Sequence, residues 1–309
     1  MVFPEKRMDH KETSGLKTYL KEKKAYVDAA LQKYAPSPEG PASRLMEAMR
    51  YSLFADGKRL RPILCIAGCE AVDGAPERVL PVACALEFIH AYSLIHDDLP
   101  LMDDDDVRRG QPTNHKVFGD AVALLAGDAL LTEAFHLMAG LDQASPIPAP
   151  RITQAIRLIA EAAGFDGMVG GQAVDILSEH KPADLDLVNY MHTHKTGALI
   201  TASVVSGALL AGADELRLKA MESYGSHIGL AFQISDDILD IEGDAKAMGK
   251  KTGADQVKGK MTYPAVLGMA AAKKIESELI QKAILALKPF DHKADPLRQI
   301  AQYIIERKR

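Results

Sequence analysis

The chain has 309 residues, 47% hydrophobic and 26% charged, the balance of an ordinary folded domain, which excludes wholesale disorder and fibrous repeats. A net charge of −5 supplies no global basic field for nucleic acid, and three cysteines, Cys65, Cys69 and Cys84, are too few for a disulfide framework in a chain this long. That thiol usage fits a reducing, cytoplasmic setting, and Met1 to Glu12, charged and without an apolar core, reads as no signal peptide.

Helix-period patterns follow one another, with no convincing alternation of apolar and polar residues. The predicted helices are, in chain order, Leu16–Tyr34, Pro41–Phe54, Pro62–Val72, Pro76–Leu99, Asp120–Leu141, Ile152–Ala163, Phe165–Glu179, Asp184–Ala211, Asp214–Ile241, Thr262–Leu287 and Pro296–Lys308. Pro41, Pro62, Pro76 and Pro296 suit first-turn positions, and Asp120, Asp184 and Asp214 suit N-caps. The breaks are a Pro/Ser/Gly turn at 35–40, a Pro-rich stretch at 142–150 and a Gly- and Lys-rich segment at 243–259. None has the composition of an interdomain linker. The expectation is one all-α domain over 1–309, a bundle of about ten or more helices around a central space. Thr196 to Ala213 carries no charge, yet its hydroxyls and glycines make it a buried helix rather than a membrane span.

Two acidic clusters stand out. Six carboxylates fall between Asp97 and Asp106, a crowding that must be solvated or neutralised by cations. Asp97 and Asp103 would face apart on an unbroken helix, but Pro100 disfavours one, and a bend after Asp98 would return Asp103 towards Asp97. The run Asp103–Asp106 taken alone reads as a solvated face. The second cluster is Asp236-Asp237-Ile238-Leu239-Asp240. Asp236 and Asp240 share a helix face with Gln233, while Ile234, Ile238 and Ile241 form a separate stripe for the core. Hard oxygen donors without Cys or His suit magnesium better than zinc. Cations cluster too. Gly57-Lys58-Arg59-Leu60-Arg61-Pro62 lies at a predicted helix start, where the dipole favours anions; an exposed basic turn and a phosphate site read equally well from this segment. Arg108 and Arg109 follow the first acidic cluster, as charge balance or as a second anion clamp. Carboxylates and cations in one helical chain together suggest a site for metal-bound diphosphate.

These blocks, with Gly171-Gln172 and Asp175, Lys195-Thr196, Phe232-Gln233, and Gly249-Lys250 leading to Lys260-Met261-Thr262-Tyr263-Pro264, resemble in their order the trans-prenyl diphosphate synthases, most of all the bacterial farnesyl type, over roughly 45–309. The resemblance implies an all-α bundle enclosing a deep apolar cavity, a homodimer, and three magnesium ions on an allylic diphosphate. By matching position it implies Asp97, Asp103 and Asp236 as metal ligands, with Asp240 as helper and Asp98, Asp237, Gln172 and Asp175 in support. Lys58, Arg61, His90 and Arg109, beside Gly57, would bind isopentenyl diphosphate. Arg108, Lys195, Lys250 and Lys260 would hold the allylic diphosphate, and Thr196 and Gln233 would lie near the reacting carbons. The implied reaction is magnesium-dependent head-to-tail condensation of isopentenyl diphosphate with dimethylallyl and geranyl diphosphate, giving farnesyl diphosphate. Neither nucleic acid nor stable membrane insertion is implied. Tyr92, five before Asp97, with Ser93 beside it, matches the fifteen-carbon pattern as a floor for the growing chain. Both acidic motifs being intact argues against a non-catalytic subunit; a geranylgeranyl synthase differs only in the Tyr92 detail. The tail 306–309 resembles a basic terminus that closes over the site, and a frayed charged end reads equally well. His192 and His194 read as structural or surface residues, the three cysteines and Met138, Met168, Met221 and Met269 as packing, and Asp128 as a buried, hydrogen-bonded carboxylate.

Overall fold

The computed structural model describes residues 10–143, 146–179, 181–182, 184–242 and 260–306. Lys250, the segment 243–259 and the tail beyond Glu306 lie outside the described residues. The described helices are α1 (His10–Tyr34), α2 (Ser43–Leu53), α3 (Leu60–Glu70), α4 (Pro76–Asp97), α5 (Asn114–Phe118), α6 (Asp120–Ala139), α7 (Ala149–Ala163) and α8 (Met168–Ser178). They continue as α9 (Leu185–Met191), α10 (Ala198–Leu210), α11 (Glu215–Glu242), α12 (Tyr263–Leu267), α13 (Met269–Ala286) and α14 (Asp295–Glu306).

Two of them form the axis of the bundle. Helix α4 buries Val79, Val82, Leu86, Phe88, Ile89 and Ile95, and α10 is buried along almost its whole length. Around them α3 and α11 pack on α10, and α6 packs on α4. The α3–α10 contact is backbone to backbone. A Cβ on Gly207 would overlap the Cys65 carbonyl, and one on Gly68 would overlap the Val204 carbonyl, so glycine is required at both. Cys65, Cys69 and Cys84 are buried free thiols, and burial pushes Cys65 and Cys69 up to about 12. Thr196 to Ala213 is the buried α10 and its approach, as expected. By length and composition α4 and α6 pass for membrane spans; α4 is a core helix, while α6 leaves Leu124 and Leu125 exposed.

The predicted elements need five corrections. The span Asp184–Ala211 is not one helix: a π-helical turn, His192–Gly197, separates α9 from α10. Thr262–Leu287 breaks at Gly268, whose φ of 81° ends α12 and opens α13. A two-residue antiparallel hairpin, β1 (Val107–Arg108) with β2 (Gln111–Pro112), and α5 follow the first acidic cluster where no element was expected. Asp184 and Asp214 do cap their helices, Asp184 accepting from Asp186 and Leu187 N–H and Asp214 from Arg217 N–H, but Gly119 is the N-cap of α6 and Asp120 stands in its first turn. Pro76 opens α4, Pro296 follows Asp295 in α14 and Pro62 stands third in α3, all in first turns as expected, whereas Pro41 precedes α2. Asp128 is not buried: its side chain is 60% exposed, with His96 Nε2 3.9 Å away. The buried side of α6 is made by Ala123, Ala126, Gly127, Leu130, Ala134 and Met138, and Asp128 is not among them.

Candidate active site

Helix α4 ends at Asp97 and the chain turns back on itself. The Asp103 N–H donates to the Asp97 carbonyl at 2.9 Å, and Asp104, with φ 49°, donates to the Leu99 carbonyl at 3.2 Å. The expected bend is therefore present, and it costs one non-glycine residue in the left-handed region. Burial pushes the Asp97 carboxyl above the usual carboxylate range and Asp103 adds to this, against the pull of Lys195, Arg108 and Lys260. Asp98 points the other way, into protein. It is buried, accepts from Arg108 Nε at 2.6 Å, and is pushed up to about 6 by that burial. Asp105 and Asp106 face Arg108 and Lys116 at 3.4 and 2.7 Å, a charge-balanced turn.

The β1–β2 turn holds Arg109 at φ 54° and Gly110 at φ 77°, as a tight hairpin turn requires. This aims the Arg109 guanidinium at His90, with Nη2 3.4 Å from His90 Nε2 and Nη1 3.4 Å from the Ala55 carbonyl. Gly57 leaves the room: a Cβ there would lie 2.8 Å from Arg109 Nη1. Arg61 joins them from α3. Arg61 Nε and His90 Nδ1 are buried without a partner. Both side chains keep contact with a cavity while surrounding protein shields them from bulk water. That enclosure, with neighbouring cations, drives His90 well below its ordinary value and Arg61 down to about 10. Cations crowded together around unpaired donors are built for an anion. Arg59 is excluded from this role. Left-handed at φ 52° and buried, it donates to Asp28 at 2.8 Å and to Glu87 of α4 at 2.7 Å. Lys58 is exposed.

Between these groups lies a cavity of about 430 Å³. Arg61, His90, Asp97, Gln172, Lys195 and Thr196 give it polar walls, and Tyr92, Met102, Met168, Val169, Ala173 and Ile176 give it apolar ones. Tyr92 is buried and meets His96 edge-on at 5.4 Å. The π-helical turn delivers Lys195 onto Asp175, with Nζ 2.6 Å from Oδ2, and Thr196 onto Gln233, its hydroxyl donating to Oε1 at 2.9 Å. Gln233 in turn donates to Asp236 Oδ2 at 3.0 Å, so a short relay runs from the cavity wall to the second acidic motif. Gly171 lets α8 close on this turn, because a Cβ there would overlap the Lys195 backbone. Lys260 lies 3.7 Å from Asp103. Asp237, by contrast, is buried behind α11, accepting from His192 Nε2 at 2.8 Å and from the Tyr263 N–H at 2.9 Å on the same oxygen.

The donors suit a hard divalent cation. Asp97 and Asp103 are like-charged neighbours on one turn, Asp236 and Asp240 lie four apart on α11, and every ligand atom on offer is a carboxylate oxygen. Among the described residues no ready-made cluster of three His, Cys, Asp or Glu side chains exists.

Of the residues singled out in the sequence, Arg61, His90, Tyr92, Ser93, Asp97, Gln172, Lys195 and Thr196 line one cavity, and Asp103, Asp175, Gln233, Asp236, Arg109 and Lys260 are linked to it. Arg108 is engaged with Asp98 and Asp105 beside it. The sequence reading missed the rest of the α8 wall: Val169, Ala173 and Ile176 recur with Gln172 at helical spacing, a signal available in the sequence. Met168, read as packing, is also wall. His96, not singled out in the sequence, also lines the cavity and lies in the notch left by Gly127.

An all-α shell around a cavity with carboxylates and cations on one wall and apolar side chains on the other defines a class, and the comparisons place the chain in it. It belongs to the polyprenyl synthetase family, whose profile matches residues 42–303. It is 48% identical to farnesyl diphosphate synthase of Geobacillus stearothermophilus, over 95% of this chain and 98% of that one. It is 47% identical to geranylgeranyl diphosphate synthase of Cyanophora paradoxa, over 95% of this chain and 97% of that one. Its structure resembles an apo FPP/GFPP synthase from Zymomonas mobilis with a TM-score of 0.81 and 38% identity, over 94% of this chain and 99% of that one.

Proposed function

We propose that the protein is a prenyltransferase that condenses isopentenyl diphosphate head-to-tail with dimethylallyl and then geranyl diphosphate to give farnesyl diphosphate. The observation that carries this is the single cavity whose polar wall holds Asp97, Lys195, Arg61 and His90 and whose apolar wall includes Tyr92. Asp97, Asp103 and Asp236, with Asp240, would hold magnesium, three ions with diphosphate bound. When bound, magnesium neutralises charge on the leaving diphosphate. Lys195 and Lys260 would hold the allylic diphosphate, joined by Arg108 and Lys250. Arg61, His90, Arg109 and Lys58 would hold isopentenyl diphosphate.

The chemistry follows from those positions. The allylic C–O bond breaks and its electron pair leaves with the diphosphate, where fixed cations stabilise it. The isopentenyl double bond then forms the new C–C bond, and the resulting cation passes a proton to the departed diphosphate to restore an alkene. The Thr196 hydroxyl donates its hydrogen bond to Gln233 Oε1, so its oxygen turns lone pairs towards an allylic cation. The apolar wall excludes water that would quench that cation.

Product length rests on Tyr92, because identity to a farnesyl and to a geranylgeranyl synthase is nearly equal. Tyr92 is five residues before Asp97, about 7.5 Å along the helix axis at ~1.5 Å per residue. The test is incubation with isopentenyl and dimethylallyl diphosphate and magnesium, and sizing of the prenyl chain by mass spectrometry. A fifteen-carbon product is expected, lengthened by Tyr92→Ala. A twenty-carbon wild-type product would keep the reaction and remove the floor. No product from folded protein, with geranyl and farnesyl diphosphate also tried as starters, would favour a non-catalytic subunit. The exposed leucines of α6, Leu124 at 44% and Leu125 at 54%, support a homodimer, testable by light scattering. The buried free thiols support a cytoplasmic setting.

A further inference from the structure

We infer that His192 and Asp237 are positioning residues, a buried latch that sets the allylic side of the site and leaves the isopentenyl side alone. The inference rests on the prenyltransferase reading and adds to it which half of the site this pair controls.

Three segments distant in sequence meet at one carboxylate oxygen. His192 opens the π-helical turn, Asp237 lies on α11 beside Asp236, and Tyr263 starts α12 just after Lys260. Asp237 Oδ2 accepts from His192 Nε2 at 2.8 Å and from Tyr263 N–H at 2.9 Å. Both side chains are nearly out of solvent, Asp237 at 9% and His192 at 10%. Since a carboxylate can only accept, His192 Nε2 must carry the proton. The Tyr263 ring lies 5.5 Å from the His192 ring and its hydroxyl donates to Asn189 on α9, closing the junction.

Each arm of the junction carries a polar group of the cavity. Three residues beyond His192 stands Lys195 on Asp175, followed by Thr196 on Gln233. Three residues before Tyr263 stands Lys260, near Asp103. A π-helical turn is less well bonded than an α-helix and is held in place by its surroundings. His192 supplies that hold at the end of the turn where it begins. The groups assigned to isopentenyl diphosphate come from elsewhere: Arg61 from α3, His90 from α4 and Arg109 from the hairpin. Neither latch residue lines the cavity, so an effect on ligands must pass through Lys195, Thr196 and Lys260.

The experiment compares His192→Ala, His192→Gln and Asp237→Asn with wild type. Glutamine places a donor near the position of Nε2, and asparagine keeps the shape of Asp237 with one acceptor. In steady-state assays His192→Ala should raise the KM for dimethylallyl diphosphate about tenfold or more, the loss expected for a buried charge-assisted hydrogen bond. The KM for isopentenyl diphosphate should stay within about twofold, and His192→Gln should recover most of the difference. Calorimetry with inorganic diphosphate and magnesium provides a readout that needs no turnover. Affinity should fall about tenfold in His192→Ala, less in Asp237→Asn, and return in His192→Gln. Thermal melts identify unfolded variants, and if His192→Ala does not fold, Asp237→Asn and His192→Gln give the comparison. Equal shifts in both KM values, or unchanged diphosphate affinity in folded variants, overturn the latch. Failure of the prenyltransferase reading shows separately, as wild-type protein without prenyl product, and the diphosphate titration then still decides the latch.

Discussion

The two acidic motifs carry the same side chains on opposite kinds of backbone. Asp236 and Asp240 need only α-helical periodicity, and α11 runs through them unbroken to Glu242. Asp97 and Asp103 need the chain to bend, with Asp104 at φ 49° and a hydrogen bond from Asp103 N–H back to the Asp97 carbonyl. Their supports differ as well. Helix α4 below the first motif is held by the buried Glu87–Arg59 pair, whereas α11 is held at the second by Asp237 and His192. One motif is local, and the other depends on a turn and on charges brought from a distance.

The largest test is whether the two motifs are equivalent in chemistry despite that difference. Asp97→Ala and Asp236→Ala should each cut turnover by roughly three to five decades, on the order of 4–7 kcal/mol of transition-state stabilisation. Turnover within about tenfold of wild type for either would break the equivalence. Next comes support. Arg59→Ala leaves Glu87 buried without its partner and should lower stability by about 3–5 kcal/mol in urea unfolding, since both side chains are almost fully enclosed. A smaller effect isolates the bend: Asp104→Val puts a β-branched residue at positive φ and should cost about 1–2 kcal/mol, while Asp104→Gly should be neutral or better. No substitution on α11 has that signature, so equal tolerance of Val and Gly would remove the bend from the account.

The smallest effect concerns pH. His90 sits well below its ordinary value, so the folded protein keeps it neutral where the unfolded chain, near pKa ~6.5, takes a proton. The unfolded state therefore binds more protons as pH drops below about 6.5, and stability contributed by this group is lost in that direction. His90→Gln should flatten that part of the stability–pH curve, measured by urea unfolding at several pH values. An unchanged curve would mean that another group sets it.

Much of the candidate site was legible because its pattern is local. The carboxylate face of α11, with Gln233 in register, follows from helical spacing, and the return of Asp103 follows from Pro100. The cations were harder. Lys58, Arg59 and Arg61 look alike in sequence, yet one is exposed, one neutralises Asp28 and Glu87, and one lines the cavity. Only partners on α1 and α4 distinguish them. Asp128 was misread for a related reason: an apolar flanking sequence does not reveal which side of a helix meets the core.

The sequence by itself determined an all-α chain, two acidic motifs with their ligand types, and the blocks that mark the family, because periodicity, proline placement and short spacings act within a few residues. The tertiary structure decided that the span 184–211 holds a π-helical turn, that Gly57 makes room for Arg109, and that Asp237 turns away from Asp236 to receive His192 and the Tyr263 N–H. Those outcomes depend on burial and on hydrogen-bond partners tens of residues away, whose free energies exist only once the helices have packed.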